Sequence, residues 1–252
     1  MQSWKSTMDR LVLQRRALNI RDHFGVDDNS PMDLVALVAT NSEITLVFYP
    51  FKEEISGVCI KSANLIAINS RSTLGRQAFS IAHELYHYFY DGEKTSISYF
   101  DVSENSRVEK DANLFASYLL MPDSSFTRFC NKLTNRGSNK IELHDILEIE
   151  QYFRVSRNAV LVRLIQEEYI TPEESEQYKT DIVKNAKKYG FDITLYLSTD
   201  INKPKTYGAY LKKALELKNS GLISDGKYEE YLLEAYRSDI VFDDNGEKDI
   251  YD

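Results

Sequence analysis

Five consecutive residues, His83-Glu84-Leu85-Tyr86-His87, carry the side chains best suited to chemistry in this sequence. On a helix, residues four apart project to the same side one turn up, so His83 and His87 can offer two imidazole nitrogens to one metal ion. Glu84 then lies beside the ion. A zinc ion held by two histidines and a third protein ligand keeps a position for water and lowers its pKa to about 7. A neighbouring carboxylate can take the proton of that water during attack on a carbonyl and deliver it to the leaving amine. The pattern is short, and an amphipathic helix can spell it without a metal. Ala82, Leu85 and Phe89 would then form an apolar stripe with two partly buried, hydrogen-bonded histidines. A third ligand decides between the two.

The candidate lies in Glu109-Lys-Asp-Ala-Asn113, on a helix expected from about Ser106 to Met121 and stopped by Pro122. Its apolar face is Val108, Ala112, Phe115, Ala116, Leu119 and Leu120. Glu109 is read as the third zinc ligand. Asn113, one turn further on the same face, is read as bonding the free ring nitrogen of a ligand histidine and fixing its tautomer. Two alternatives remain open. Ser106-Arg-Val-Glu109 also spells a capping box, in which Glu109 would only close the helix N-terminus. Asp111 is a further candidate ligand, about 200° around the helix from Glu109.

With Gly75-Arg-Gln-Ala-Phe-Ser-Ile-Ala-His-Glu-Leu-Tyr-His87 and Glu109-Lys-Asp-Ala-Asn-Leu-Phe-Ala-Ser-Tyr-Leu-Leu-Met-Pro122 both in view, the sequence resembles the ImmA/IrrE family of zinc metallo-endopeptidases. The likeness runs from Tyr49-Pro50, Ser56-Gly57 and Ile68-Asn69-Ser70 to about Ile170. It implies a thermolysin-like (zincin) core in which His83, His87 and Glu109 bind Zn2+ and Glu84 is the catalytic base. It also implies a protein substrate, a DNA-binding repressor of the helix-turn-helix type, whose cleavage switches on mobile-element or stress genes. A second function class, a non-proteolytic binding module such as an antitoxin or a repressor-sequestering protein, would use the same zinc site as a staple. Glu84 discriminates, because a staple needs no carboxylate beside its first histidine.

The supporting elements follow from periodicity and caps. Residues 9–24 read as a helix ended by Gly25, and a short helix is expected after Ser30 as N-cap and Pro31. Three apolar runs, 44–49, 55–61 and 64–69, read as an antiparallel meander. Ser72 or Thr73 then caps a helix from about Leu74 to Tyr90 that carries both histidines, and a polar connection, 92–105, follows. Leu143 to Ile170 reads as two helices around Arg154-Val-Ser156, in the manner of a helix-turn-helix, preferred here as a helical unit that packs on the peptidase or meets the partner; His144 near its start is read as a structural or surface histidine and not a ligand. Beyond Thr171 come a helix at Pro172 and two more across Thr206 to Tyr236. The expected class is therefore α+β: a core with a small antiparallel sheet and active-site helices, followed by a mostly helical C-terminal region. The expected divisions are a peptidase core over 1–140, a helical unit over 141–172, and an extension over 173–252 with a mobile acidic end from Asp243.

Composition narrows the partners. A net charge of -8 argues against direct DNA binding, which rests on clustered lysine and arginine. No apolar run approaches a membrane span, and the two cysteines, Cys59 and Cys130, form no C-x-x-C pattern, so a cytoplasmic protein with reduced thiols is expected.

Overall fold

The computed structural model describes residues 2–52, 54–100, 106–134, 140–199 and 203–242, with side chains from residue 8 onward. The acidic stretch from Asp243 and the end of the 92–105 connection lie outside the described residues.

Strands β1 (Thr45–Tyr49), β2 (Ile55–Ile60) and β3 (Leu65–Asn69) form within the three apolar runs. They are not a meander. β1 runs parallel to β3, while β2 is antiparallel to β3 on its other side. The reason lies at the ends of the strands. A single turn of 3-10 helix, Lys61–Ala63, with Asn64 in the left-handed region, closes β2 onto β3. The link from β1 instead crosses the end of β3, where the Asn69 amide donates to the carbonyls of Ile55 at 2.7 Å and Lys52 at 3.3 Å. Alternation in sequence fixes which side chains face inward but not which strand lies next to which.

Two edge strands complete a mixed sheet of order β4-β2-β3-β1-β5. β4 (Thr95–Tyr99), inside the stretch read as a polar connection, pairs with β2; β5 (Lys205–Gly208), read as the start of a helix, pairs with β1. Both are short and largely polar, so neither carries the apolar alternation that marks a strand. Gly208 has φ +84, and a side chain there would meet the Ile44 carbonyl.

Leu46 and Phe48, Ile66 and Ile68, and Cys59 are buried across paired strands. They share one core with Ile81, Ala82 and Leu85 of α3 (Leu74–Tyr90), which matches its expected span. α1 (Gln2–His23), α2 (Leu34–Thr40) and α4 (Arg107–Leu120) join this core. α2 begins later than Ser30 suggests. Asp27 takes the Ser30 backbone and hydroxyl, and Asp33 caps the helix through Ala36 N at 3.2 Å. The core continues through α5 (Asp123–Thr134), α6 (Leu143–Phe153) and α7 (Arg157–Gln166), with Phe126, Ile146, Phe153, Val160 and Leu164 fully buried. The arginines of α7 are buried too. Arg157 pairs with buried Glu150, and Arg163 reaches Asp123 at 2.6 Å with its guanidinium over the Tyr118 ring. Among the described residues five further α-helices follow: α8 (Pro172–Glu176), α9 (Ile182–Lys188), α10 (Ala209–Asn219), α11 (Asp225–Glu234) and α12 (Ser238–Val241).

The N-terminus of α3 is clamped from two sides. Leu74 N donates to the Leu197 carbonyl at 2.8 Å, and Gly75 packs so closely on the α6–α7 turn that an added methyl would lie 2.8 Å from Ser156 N and 2.9 Å from the Val155 carbonyl carbon. Gly75→Ala is therefore expected to destabilise the fold. Overpacking against backbone costs about 1–3 kcal/mol, which exceeds the roughly 1 kcal/mol that alanine gains in a helix. A fall in thermal unfolding midpoint relative to wild type measures the net effect.

Candidate metal centre

α3 has a strongly amphipathic sequence, and its inward stripe of Ile81, Ala82 and Leu85 fixes its rotation on the sheet. That rotation turns His83 and His87 toward α4, whose own stripe of Ala112, Phe115, Ala116 and Leu119 turns Glu109 and Asn113 back toward them. His83 Nε2 lies 3.0 Å from Glu109 Oε2, His87 Nε2 lies 3.3 Å from Glu109 Oε1, and the two Nε2 atoms are 3.1 Å apart. Three ligand atoms thus face one point. Their spacing is close to the edge of about 3.3 Å expected for ligands on a tetrahedral ion with bonds of about 2.0–2.1 Å.

The far side of each ring is also held. His83 Nδ1 lies 3.0 Å from Asn113 Oδ1, and His87 Nδ1 lies 2.8 Å from Asp91 Oδ2. Each Nδ1 of a neutral ring then carries the hydrogen, and each Nε2 is left as a bare lone pair. Two lone pairs and a carboxylate directed at one another repel unless a cation lies between them. In the metal-free protein protons serve instead. Hydrogen bonds from His83 and then His87 hold the Glu109 carboxyl down at about 2. Burial works against a charged His87 ring, but the Glu109 and Asp91 carboxylates outweigh it and raise its pKa.

Glu84 occupies a different environment. It is fully buried, and burial raises its pKa above the usual carboxylate range. Its Oε2 accepts from Ser96 Oγ at 3.3 Å, whereas Oε1 has no hydrogen-bond partner among the described residues. Gly57 of β2 makes the room, since a methyl there would lie 2.7 Å from Oε1. A buried carboxylate oxygen with no partner beside a set of cation ligands fits a group that handles the proton of a water or substrate.

Ser106 caps α4 through its own hydroxyl to Glu109 N at 3.3 Å, while both Glu109 oxygens lie on the histidines. Asp111 is directed elsewhere, 3.8 Å from Arg107. Among the described residues a second group, His144, Asp145 and Glu148, also brings possible ligand atoms together. It is more open, with the His144 side chain 46% exposed. Tyr88 and Tyr90, close in sequence to the pentad, and Tyr118 of α4 are engaged elsewhere: Tyr88 donates to Asn64, Tyr90 donates to the Arg16 carbonyl, and Tyr118 lies under Arg163.

A model of the IrrE N-terminal-like domain, a peptidase family, matches residues 39–165. The chain belongs to that family. No curated protein matches it significantly. Membership supports a metallopeptidase-like function, and His83, His87 and Glu109 are the residues that could hold its metal. The match covers β1 to β4 and α3 to α7, so it contains the whole cluster. No described helix is long and apolar enough to cross a membrane.

Asp91 is a residue that sequence reading misses, since it lies just past the helix expected to end at about Tyr90. Its signal was its spacing, four residues after His87. Burial opposes its ionisation, but the hydrogen bond from His87 prevails and lowers its pKa. Asp91→Asn keeps the size of the side chain and weakens the grip on Nδ1–H. Outer-shell partners of this kind affect metal affinity by about 10–100-fold, so a loss in that range is expected in a competition titration with a chelator.

Proposed function

We propose that this protein is a zinc-dependent endopeptidase acting in the cytoplasm on a regulatory protein, a repressor of the helix-turn-helix type. The observation that carries the peptidase reading is Glu84, a buried carboxylate with one unpartnered oxygen next to two fixed imidazoles and a carboxylate. The donor set of two imidazoles and one carboxylate suits zinc in a hydrolytic site. Bound by His83, His87 and Glu109, zinc would acidify a water and polarise the scissile carbonyl.

The chain's own groups do the rest. Asn113 and Asp91 keep both Nε2 lone pairs directed at the site. Glu84 takes a proton on Oε1 from the attacking water and passes it to the leaving amine, and its raised affinity for a proton suits both halves of that task. His83 and Asn113 also line a cleft of about 470 Å³, walled by Phe79 and Leu114, Tyr99 and Phe100, and Ala159 and Val162, which is large enough for several residues of an extended substrate. The repressor as substrate follows from the family likeness. The cytoplasm is supported by two buried free thiols, Cys59 and Cys130, each pushed by burial up to about 12.

The test is a trap. Zinc-loaded Glu84→Gln is used to capture proteins from host lysate, and each captured protein is incubated with wild type. A helix-turn-helix repressor cut at a defined bond supports the proposal. Partners that are bound by both proteins and cut by neither would favour the binding-module reading.

A further inference from the structure

The chain carries 39 acidic and 31 basic residues, yet the cleft beside His83 is lined by no carboxylate among the described residues. Its cationic lining residues are Arg76 and Lys110. Arg76 stands out. Its guanidinium carbon lies over the Phe100 ring, 5.2 Å from the centroid, and no ion pair joins it to a described carboxylate. It is exposed, in the first turn of α3, a turn that holds no acidic residue. A cation is disfavoured there by the positive end of the helix dipole. A guanidinium is a planar fork of donors, the geometry that grips a carboxylate through two bonds.

We propose that Arg76 is a specificity-determining residue that binds a substrate carboxylate near the scissile bond. The inference rests on the peptidase reading above and adds a substrate class to it, polypeptides with an acidic group at a set distance from the cut. Arg76 and His83 are seven residues apart on one helix, nearly the same face two turns along, about 10 Å. An extended peptide advances about 3.3 Å per residue, so the carboxylate falls two to four residues from the bond that is cut. Two sources offer this chemistry, an aspartate or glutamate side chain within a longer chain and the free C-terminus of a short one.

The experiment compares zinc-loaded wild type, Arg76→Gln and Arg76→Glu on a randomised peptide library, in which half of the peptides have amidated C-termini. Cleavage sites are read by mass spectrometry. The expected result is enrichment of Asp or Glu two to four residues from the cut in amidated peptides. Arg76→Gln should then raise KM for those peptides about tenfold, with kcat and the hydrolysis of neutral peptides unchanged. Arg76→Glu should shift the preference to Lys or Arg at the same position. Enrichment confined to free C-termini at that distance, and lost in Arg76→Glu, assigns the site to a terminal carboxylate. Cleavage without acidic preference, or with a preference that Arg76→Glu leaves intact, overturns the inference while the peptidase reading stands. If nothing is cut, that reading fails, and fluorescence anisotropy of labelled acidic and neutral peptides judges Arg76 separately. Acid-selective binding lost in Arg76→Glu supports the site, and equal binding of both peptides overturns it.

Discussion

Replacing Glu84 by glutamine is expected to lower peptide hydrolysis by about 10²–10⁴-fold, the range that a positioned general base contributes, while metal binding stays at one ion per chain. The side chain is fully buried, so an isosteric amide keeps the packing against Gly57 and the Ser96 hydrogen bond within reach. It also removes a carboxylate that burial already disfavours in its charged form, so the unfolding midpoint should hold or rise. Steady-state hydrolysis, metal content and thermal unfolding on the same preparation separate these effects. A variant that cuts as fast as wild type would remove Glu84 from the mechanism and leave the metal cluster as a structural staple.

Glu109→Ala should have the second large effect, on the metal. It deletes one of three converging ligands and leaves two Nε2 lone pairs 3.1 Å apart with no opposing charge. The loss of affinity should exceed the about 10–100-fold expected of outer-shell changes. The helix is expected to survive. The cap is made by Ser106 Oγ on the backbone N–H of residue 109, which alanine retains. If Glu109 served the helix instead, metal affinity would stay as in wild type and stability would fall by about 0.5–2 kcal/mol, the usual size of a cap. Chelator competition and circular dichroism distinguish the two outcomes.

Much of this centre was legible before any coordinates. A spacing of four residues on a helix is a geometric statement, so His83 with His87, and Glu109 with Asn113, could be put on shared faces from sequence. The span of α3 and the approximate limits of α4 followed from caps and amphipathic stripes, because those signals are local. The sequence also carried the family likeness, since it lies in the residues of two helices.

Tertiary structure decided what depends on contacts distant in sequence. That Glu109 meets the histidines instead of closing a capping box is set by two helices packing their apolar stripes together, and a capping signal reads the same in either case. The strand order was hidden because alternation is blind to neighbours; only Asn69, holding the link to β2 over the end of β3, shows how β1 comes to lie parallel to β3. Gly57 enters the sequence reading only as part of the family likeness, yet it makes the space that Glu84 fills. Asp91 became a partner of His87 only when the last turn of α3 brought its carboxylate onto Nδ1. Local periodicity chose the reactive residues, and the packing of α3 against the sheet and α4 brought them to one point.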